Sequence, residues 1–352
     1  MSKIFIISDL HFGMRANSIE WLEIQTDYFD NFFFPLLKEK AKPHDILFVL
    51  GDVFDNRQNV QILVQHTVIN LFEKLSKIFK EIHVIVGNHD IFRKGSTEIS
   101  SLSCIKHIPG IYVHSEVKNI KIDGKSIILM PWQVSHEDEE TNLNLYSGSD
   151  YLFCHSEIQG VYLNRKVQND KGMELDRFKG YGKVYSGHIH FGQKRGNVTF
   201  VGNPYEMTRS DMYNKKGIYV IELSTGEEIF YENIISPHFI SVDLKDLYEK
   251  RLDEIAVTFK NNFVDLMIPN EAIVKYNISS FMNSIDSFAR KIDPRVYDDS
   301  STKFNMDMAE EYGDFDIMTV SRRFINETTY EVSLQERIVK KIEDLYKKIN
   351  CN

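Results

Sequence analysis

The sequence is poor in cysteine and has no long apolar run. Its three cysteines, Cys104, Cys154 and Cys351, are odd in number and share no Cys-x-x-Cys spacing. This disfavours a disulfide framework and predicts a reducing, cytoplasmic location. No apolar run reaches the roughly 18 residues of a membrane-span candidate. The opening MSKIFIISDL meets an aspartate after a short apolar run, which is typical of a first β-strand rather than of a signal peptide.

The chain also lacks an excess of positive charge. Its 42 lysines and arginines are outnumbered by 51 aspartates and glutamates, so the net charge is −9. Because phosphate contacts normally come from lysine and arginine, we expect this chain alone to have only modest nonspecific affinity for DNA. Bound divalent cations and local basic patches are not counted in that number. The hydrophobic fraction of 42% is that of an ordinary soluble protein.

The first 200 residues alternate strand and helix patterns. Apolar runs predict buried strands at Lys3–Ser8, Asp45–Leu50 and Ile82–Val86. Between them, helical spacing extends from Trp21 to Leu37, with a kink or an end at Pro35, and over Asn59–Lys80. This order predicts a layered α/β sandwich whose sheet begins with parallel strands.

The later patterns are shorter and richer in turns. Further strands are predicted at Lys118–Ile122, Ser126–Met130, Tyr151–Cys154, Lys183–Ser186, Asn197–Val201, Gly217–Leu223 and Glu228–Tyr231. After residue 238, helical patterns at Leu244–Phe259 and Phe281–Ile292 flank a strand-like Ala272–Ile278. We therefore expect a main domain over residues 1–237 and a small α+β capping domain over 238–292. A polar linker over 293–316 and a C-terminal amphipathic helical segment over 317–352 complete the predicted organisation.

Polar residues cluster where the predicted strands end. They are Asp9, His11, Asp52, Asp55, Asn88, His89, Asp90, His155, His188 and His190. Carboxyl ends of strands border the ligand crevice in open α/β sheets, so these groups can converge. In Asp-x-His and His-x-His, the spacing places both side chains on one side of an extended segment. Any one of these motifs is weak evidence, but five in order at strand ends predict a metal site.

The ligand types are those of a dinuclear site. A bridging carboxylate is needed to hold two cations about 3.5–4 Å apart, and Asp52, in a turn preceded by glycine, is the natural candidate. Mixed imidazole, carboxylate and amide ligands suit Mn²⁺, Fe or Zn²⁺ better than Mg²⁺ or Ca²⁺. Two such cations would attract a phosphodiester and acidify an attacking water. The constellation thus predicts hydrolysis of a phosphate ester.

The motif order Asp-x-His, Gly-Asp-x-x-Asp, Gly-Asn-His-Asp, His and Gly-His-x-His resembles that of the calcineurin-like metallophosphoesterases. Within that superfamily the chain is most similar to the SbcD-type repair nucleases (the meiotic-recombination-eleven family), especially those of T-even phages. The narrower likeness rests on residues 9–13 (DLHFG), 51–55 (GDVFD), 130–132 (MPW), 186–190 (SGHIH) and 201–205 (VGNPY). It covers roughly residues 1–235. It implies a four-layer α/β/β/α sandwich with a smaller α+β capping domain and C-terminal helices.

The resemblance also assigns roles to the clustered residues. It implies that one metal is held by Asp9, His11, Asp52 and His190. It implies that the other is held by Asp52, Asn88, His155 and His188. His89 would then be a general acid for the leaving oxygen rather than a ligand, and the Asp55 carboxylate would orient it, although some of these nucleases have a second histidine at that position. Asp90 is expected to cap a turn or to support the ligands.

The activity implied by the resemblance is that of a manganese-dependent DNA nuclease in double-strand-break repair and recombination. It would act as a 3′-to-5′ exonuclease on duplex ends and as an endonuclease on single strands or hairpins. The family works as a homodimer bound to an SbcC-type coiled-coil ATPase. The resemblance implies dimerisation through helices near Asn59–Lys80 and Ser96–His107, and a location in the host cytoplasm if the chain is phage-encoded. The terminal helix would dock on the ATPase or, equally, pack on its own domain.

Two other functions remain open from the sequence. A phosphatase or nucleotide phosphodiesterase would use the same metal motifs, whereas a non-catalytic scaffold would be expected to have lost ligands that this chain keeps. Candidate DNA contacts follow the second, third and last motifs, although each is more typical of a solvated surface charge. They are Arg57, Arg93, Lys94, Lys194 and Arg195.

Overall fold

The computed structural model describes residues 2–93, 95–247, 250–275 and 278–297, together with Lys340 alone. The chain divides into two compact units, residues 1–299 and 300–352, and every strand and helix up to Tyr297 belongs to the first. The predicted C-terminal helical segment therefore lies outside the described residues, apart from the helical, exposed Lys340, and so does Lys94.

The first of two six-stranded sheets contains the N-terminal strand. Its order is Glu227–Glu232, Gly217–Glu222, Lys3–Ile7, Ile46–Val49, Glu81–Ile85 and Ile111–His114. The last four of these strands are parallel to one another, and the first two form an antiparallel hairpin on the edge. The predicted β-α-β-α-β start is confirmed: the strands Lys3–Ile7, Ile46–Val49 and Glu81–Ile85 are parallel, and helices lie between them in the sequence. Parallel neighbours require such long crossover connections.

The second sheet is built from the middle of the chain. Its order is Gln193–Arg195, Val198–Phe200, Lys183–Gly187, Tyr151–His155, Lys125–Met130 and Lys118–Ile122. The four inner strands are parallel, and the two edge strands are antiparallel to their neighbours.

Apolar side chains on both faces of each sheet explain the layered packing. Along the first strand, Ile4 and Ile6 point into the core between the sheets, whereas Phe5 and Ile7 point towards the helices. All four are fully buried, as expected for a strand covered on both sides. The outer face of the second sheet is covered by helix His136–Leu145 and by irregular segments. The result is the expected α/β/β/α order.

The helical segment after the first strand is continuous through Pro35. Helix Ile19–Tyr28 passes through a π-helical turn at Phe29–Phe33 into helix Phe34–Lys40. A proline lacks a backbone donor and crowds the carbonyl four residues before it. It is tolerated here because it lies in the first turn of the third segment and the π-turn widens the backbone before it. The sequence predicted only a kink or an end.

Further short elements lie outside the two six-stranded sheets. Helix Ile62–Leu75 lies within the predicted Asn59–Lys80. A short helical segment occupies Met14–Asn17, and 3₁₀ turns occupy Leu175–Phe178 and Arg209–Asp211. The prediction of a helix near Ser96–His107 was wrong, because Ser96–Ser100 is a strand that pairs with Ile91–Arg93 and only Ser101–Cys104 forms a 3₁₀ turn.

The region predicted to be a capping domain contains a small parallel sheet with helices, and it belongs to the same compact unit as the residues before it. Strands Phe239–Asp243, Phe263–Pro269 and Lys291–Tyr297 are combined with helices Leu252–Phe259, Asn270–Lys275 and Ile278–Ile285 and 3₁₀ turns Leu244–Leu247 and Asp286–Phe288. The predicted strand Ala272–Ile278 was wrong, since its described residues are helical. The predicted linker start at 293 also lies inside the last strand, whose polar Asp293 pairs with Arg209. Among the described residues, no helix has the length and apolarity needed to cross a membrane.

Candidate metal centre

The predicted ligands lie together where strands of both sheets reach their carboxyl ends. Three groups have ligand atoms within 4.8 Å of one another: Asp9, His11 and His190; His11, Asp52 and His89; Asp52, His155 and His188. Asn88 joins the last group, because its Oδ1 lies 2.8 Å from His155 Nε2 and 2.9 Å from His188 Nδ1. The structure thus brings every predicted ligand into one cluster.

Left-handed backbone at the ligands marks the centre as strained. Asp9, His11, Asp52 and His188 have φ angles of 54°, 46°, 52° and 75°. Such angles are uncommon for residues other than glycine, and they persist only where the surroundings enforce them. Here these angles occur in the turns that follow the strands, and the turns direct the candidate ligands towards one point.

Three glycines that precede ligands make the close approach of the strand ends possible. A Cβ on Gly51 would lie 2.6 Å from His155 Nδ1, and one on Gly187 would meet Ser8 Oγ and the Leu50 carbonyl. A Cβ on Gly87 would collide with the backbone nitrogen and Oδ1 of Asp52. The glycine in each motif is therefore required by packing against another motif.

Gly87→Ala is expected to displace Asp52 and to weaken metal binding. Overpacking of this kind destabilises proteins by about 1–3 kcal/mol, so the melting temperature should also fall. The matched control is Gly95→Ala, because a Cβ on Gly95 meets nothing within 4 Å. Metal content and thermal unfolding of the two variants check this, and equal behaviour of both would contradict it.

The group formed by Asp9, His11 and His190 contains a buried ligand atom that has no hydrogen-bond partner among the described residues. His11 Nε2 lies 3.0 Å from His190 Nε2 and 3.7 Å from Asp52 Oδ2. Asp9 is fully buried, and its Oδ2 has no hydrogen-bond partner among the described residues. A buried carboxylate oxygen without a partner costs free energy unless a cation is bound there. This side of the cluster fits a divalent cation.

Asp52 lies between the two halves of the cluster. Its Oδ2 is 3.7 Å from His11 Nε2 and 3.3 Å from His155 Nε2, so one oxygen faces ligand nitrogens of both halves. Its Oδ1 accepts a hydrogen bond of 2.8 Å from the His89 backbone N–H. A shared carboxylate in this position fits two neighbouring cations.

Hydrogen bonds on the far side of the imidazoles fix their orientation. His155 Nδ1 lies 2.7 Å from the Leu50 carbonyl and His11 Nδ1 lies 3.2 Å from Asp55 Oδ1. Such outer partners hold the ring of a ligating histidine and leave Nε2 for the metal. The expected contact of the Asp55 carboxylate with His89 is wrong in this structure. The carboxylate contacts His11, and it is the Asp55 backbone carbonyl that lies 2.7 Å from His89 Nδ1.

The electrostatics of the cluster are dominated by Asp52. Burial raises the pKa of this carboxyl, but the charges of His155 and His11 outweigh burial and hold it well below its usual range. Burial lowers the pKa of His155, yet the Asp52 charge and hydrogen bond raise it to about 9. Burial and the neighbouring His155 lower the pKa of His188 to about 3. The anionic centre therefore attracts cations, whether protons or metal ions.

Several supporting residues were not predicted from the sequence. The Gln25 side-chain amide donates through Nε2 to the Leu10 carbonyl at 2.8 Å and to the His11 carbonyl at 3.0 Å, and Tyr205 Oη donates to the Leu10 carbonyl at 2.5 Å. The buried Lys216 Nζ donates to the His190 carbonyl at 2.8 Å. Tyr205 belongs to a motif on which the resemblance rests, whereas no sequence signal pointed to Gln25 or Lys216.

Asp90 supports the ligands, as expected. Its Oδ1 accepts hydrogen bonds of 3.1 Å from the backbone N–H groups of Val53 and Phe54, and its Oδ2 accepts one of 3.0 Å from Gly87. It therefore ties the second motif to the third. Because Asp90 is fully buried and Asp52 is near, its pKa is raised to about 7.

The candidate DNA contacts differ in their exposure and in their partners. Arg57 is half-buried, and Arg93 is exposed with its guanidinium over Phe92. Lys194 Nζ is 3.7 Å from Glu228 Oε1, and Arg195 lies over the ring of Tyr162. The pairing of Lys194 with a carboxylate reduces its availability to phosphate.

The chain is similar in sequence to a curated protein and more distantly similar to solved structures. Exonuclease subunit 1 of Enterobacteria phage T4 is 26% identical over 300 residues, covering 81% of this chain and 86% of that protein. Among solved structures, an archaeal phosphodiesterase is 13% identical with a TM-score of 0.35, covering 66% of this chain and 99% of that one. A protein of unknown function from Aquifex aeolicus is 18% identical with a TM-score of 0.30, covering 51% and 94%.

The family comparison covers more than half of the chain. The profile of the calcineurin-like phosphoesterases matches residues 2–198, which include Asp9, His155, His190 and the motifs between them. This agrees with the layered fold and with the clustered histidines and aspartates, which are able to bind divalent metal ions. The chain belongs to the calcineurin-like phosphoesterase family.

Proposed function

We propose that the protein is a metal-dependent DNA nuclease of a recombination and double-strand-break repair complex. The observation that carries the proposal is the Asp52 carboxylate, whose Oδ2 faces ligand nitrogens of both halves of the cluster. The likeness to a phage exonuclease subunit over 81% of the chain supports DNA as the substrate. Manganese, 3′-to-5′ digestion of duplex ends and endonuclease action on single strands belong to the proposal.

Two divalent cations would be divided between the two halves of the centre. Asp9, His11, Asp52 and His190 would hold one of them. Asp52, Asn88, His155 and His188 would hold the other. When bound, the cations would neutralise the phosphodiester and acidify an attacking water.

His89 supplies the proton for the leaving oxygen in this proposal. Its Nδ1 lies 2.7 Å from the Asp55 carbonyl, which accepts a hydrogen bond only if that nitrogen carries its proton. Nε2 is therefore the nitrogen that gains and loses a proton during turnover. The carbonyl holds the ring, and the Asp55 carboxylate positions His11 instead. Asp55 is thus a positioning residue for two histidines.

Elements outside the metal motifs support a nuclease over a phosphatase. The ring of Trp132 lies 5.1 Å from that of His188 and 6.1 Å from that of His155. Tyr205 and Gln25 hold the Leu10–His11 backbone. Both Trp132 and Tyr205 lie in the segments on which the SbcD-type resemblance rests, and both contact the centre or its support.

The test is digestion of end-labelled duplex and hairpin DNA with added Mn²⁺, beside a generic phosphate monoester. DNA cleavage that exceeds monoester hydrolysis supports the nuclease. Monoester hydrolysis without DNA cleavage would favour the phosphatase instead. The assay is repeated with the candidate SbcC-type ATPase, since we propose that DNA, this ATPase and a second copy of the chain are the partners. The oligomeric state is checked by light scattering.

The basic residues around the centre allow a separate prediction. If Arg57, Arg93 and Arg195 bind the DNA backbone, each neutral substitution should reduce the slope of log affinity against log salt by about 0.9 for duplex. Lys194 should have a smaller effect, because it already pairs with Glu228. Lys94 is tested in the same series. Metal content should stay the same, and an unchanged slope would remove the residue from the proposed interface.

A further inference from the structure

Two arginine–tyrosine pairs lie on the surface next to the segment that follows His190. The Arg165 guanidinium carbon is 5.1 Å from the centre of the Tyr213 ring, and that of Arg195 is 4.9 Å from the centre of the Tyr162 ring. These distances are those of cation–π contacts. Arg165 and Tyr213 are both exposed, with 64% of the Tyr213 surface accessible to solvent.

Both pairs are anchored to one short stretch of backbone, Gly192–Arg195. Asn214, next to Tyr213, accepts a hydrogen bond of 2.9 Å from Gly192 N–H and donates one of 3.0 Å to the Gly192 carbonyl. Gln193 is joined to the Tyr162 backbone in the same two-way manner, at 2.9 and 2.6 Å. Both pairs therefore adjoin residues 192–195, which follow the candidate ligand His190 in the sequence.

Side-chain hydrogen bonds organise the turn that carries one of the two arginines. Asn164 Oδ1 accepts hydrogen bonds from Lys166 N–H at 2.8 Å and Val167 N–H at 2.9 Å, which orders the turn that carries Arg165. Tyr213 has a φ of 63°, an unfavourable angle for a bulky residue. The fold gains little buried area from this ring, because it is exposed.

Charge also favours a phosphate-bearing ligand at these pairs. Within the part of the chain that the structure describes, no carboxylate forms an ion pair with Arg165 or Arg195. A guanidinium stacked on a ring keeps its in-plane N–H groups available for phosphate oxygens. Aromatic rings beside positive charges are typical of binding sites for single-stranded nucleic acid, because every unpaired base can stack on such a ring.

We infer that Tyr162, Arg165, Arg195 and Tyr213 form a binding surface for single-stranded DNA that leads to the metal centre. The inference deepens the proposed nuclease function and rests on it for the identity of the nucleic acid. The bases stack on the exposed Tyr213 ring and on the accessible part of the half-buried Tyr162 ring, and the phosphates bind the two arginines. Duplex DNA gains less from the tyrosines, because its bases are already stacked.

The test is fluorescence anisotropy of the full-length protein in EDTA, with a labelled oligothymidine and a labelled blunt duplex as probes. Tyr213→Ala should weaken oligothymidine binding roughly tenfold and duplex binding less, whereas Tyr213→Phe should retain it. Arg165→Gln and Arg195→Gln should each reduce the salt slope on the single strand by about 0.7. Arg177→Gln is the matched control, since this exposed arginine already pairs with Glu140 at 2.8 Å.

Three results would overturn the inference. They are no oligothymidine binding by the unsubstituted protein, unchanged oligothymidine affinity in Tyr213→Ala, and an equal loss of affinity for single strand and duplex in Tyr213→Ala. Thermal unfolding of each variant separates a local effect from misfolding, and Tyr213→Phe guards against the latter. Failure of the proposed function is a different outcome: the unsubstituted protein would then cleave neither DNA in Mn²⁺, while binding in EDTA still reports on this surface.

Discussion

Asp52→Ala is expected to lose at least one bound metal ion and nearly all phosphodiester hydrolysis. The Asp52 Oδ2 atom faces ligand nitrogens of both halves of the cluster, so no other side chain replaces it. Loss of an outer partner of a metal ligand typically costs about 10–100-fold in affinity or activity, and loss of a shared ligand should cost more. Elemental analysis after dialysis, together with hydrolysis of DNA and of a small diester, measures both effects.

Two further variants make this result specific. Asp52→Asn keeps an oxygen that accepts the His89 N–H but removes the charge, so it should fold while binding metal more weakly. Asp265→Asn is the control, because Asp265 is a buried carboxylate of the capping sheet paired with Arg209. It should retain both metals even if its stability falls. Two ions retained by Asp52→Ala would eliminate the bridging role.

Much of the metal centre could be predicted from the sequence because its ligands follow strands directly. Asp9, Asp52, Asn88 and His188 each stand within a few residues of the end of a parallel strand, and parallel strands share a carboxyl edge. The place of each candidate ligand in the sequence, just after a strand, therefore determines where its side chain lies in the fold. The glycines before Asp52, Asn88 and His188 belong to the motifs for the same reason, since they allow the strand ends to approach.

The partners of the ligands could not be predicted, because they depend on tertiary packing. Asp55 follows Asp52 by three residues, which does not determine whether its carboxylate or its carbonyl faces His89. In the structure, the Asp55 carbonyl contacts His89 and the Asp55 carboxylate contacts His11. Gln25 lies in a helix and reaches the Leu10–His11 backbone from a different layer. Such contacts have no periodicity in the sequence.

The small sheet after residue 238 was also difficult to predict from the sequence, because it too depends on tertiary contacts. Its last strand, Lys291–Tyr297, is polar enough to be predicted as a linker. It forms a strand because Asp293 and Arg295 pair with Arg209 and Asp265, whose charges come from elsewhere in the chain. The helices and strands predicted between residues 263 and 292 were misplaced. Short segments that are buried on one side fit both the helical and the strand periodicity of apolar residues.

His89→Ala is expected to retain both metal ions and to lose DNA cleavage by a factor of about 10² or more. A ring nitrogen of His89 lies within 4.8 Å of ligand atoms of His11 and Asp52, so geometry alone also permits it to act as a ligand. Metal content separates the two roles. Loss of an ion from His89→Ala would make it a ligand, and normal turnover would exclude it as the acid. His136→Ala, at an exposed histidine of helix His136–Leu145, is the control.

The leaving group provides the sharper distinction between an acid and a ligand. A DNA 3′- or 5′-oxygen needs a proton as the phosphoester bond breaks, whereas a nitrophenolate leaves readily without one. His89→Ala should therefore lose much less activity on bis(p-nitrophenyl) phosphate than on DNA. Asp52→Ala should lose activity on both, because both substrates need the cations. If His89→Ala loses the same factor on the two substrates, its contribution is not proton donation, and the Asp55 carbonyl then orients a histidine that binds metal or phosphate.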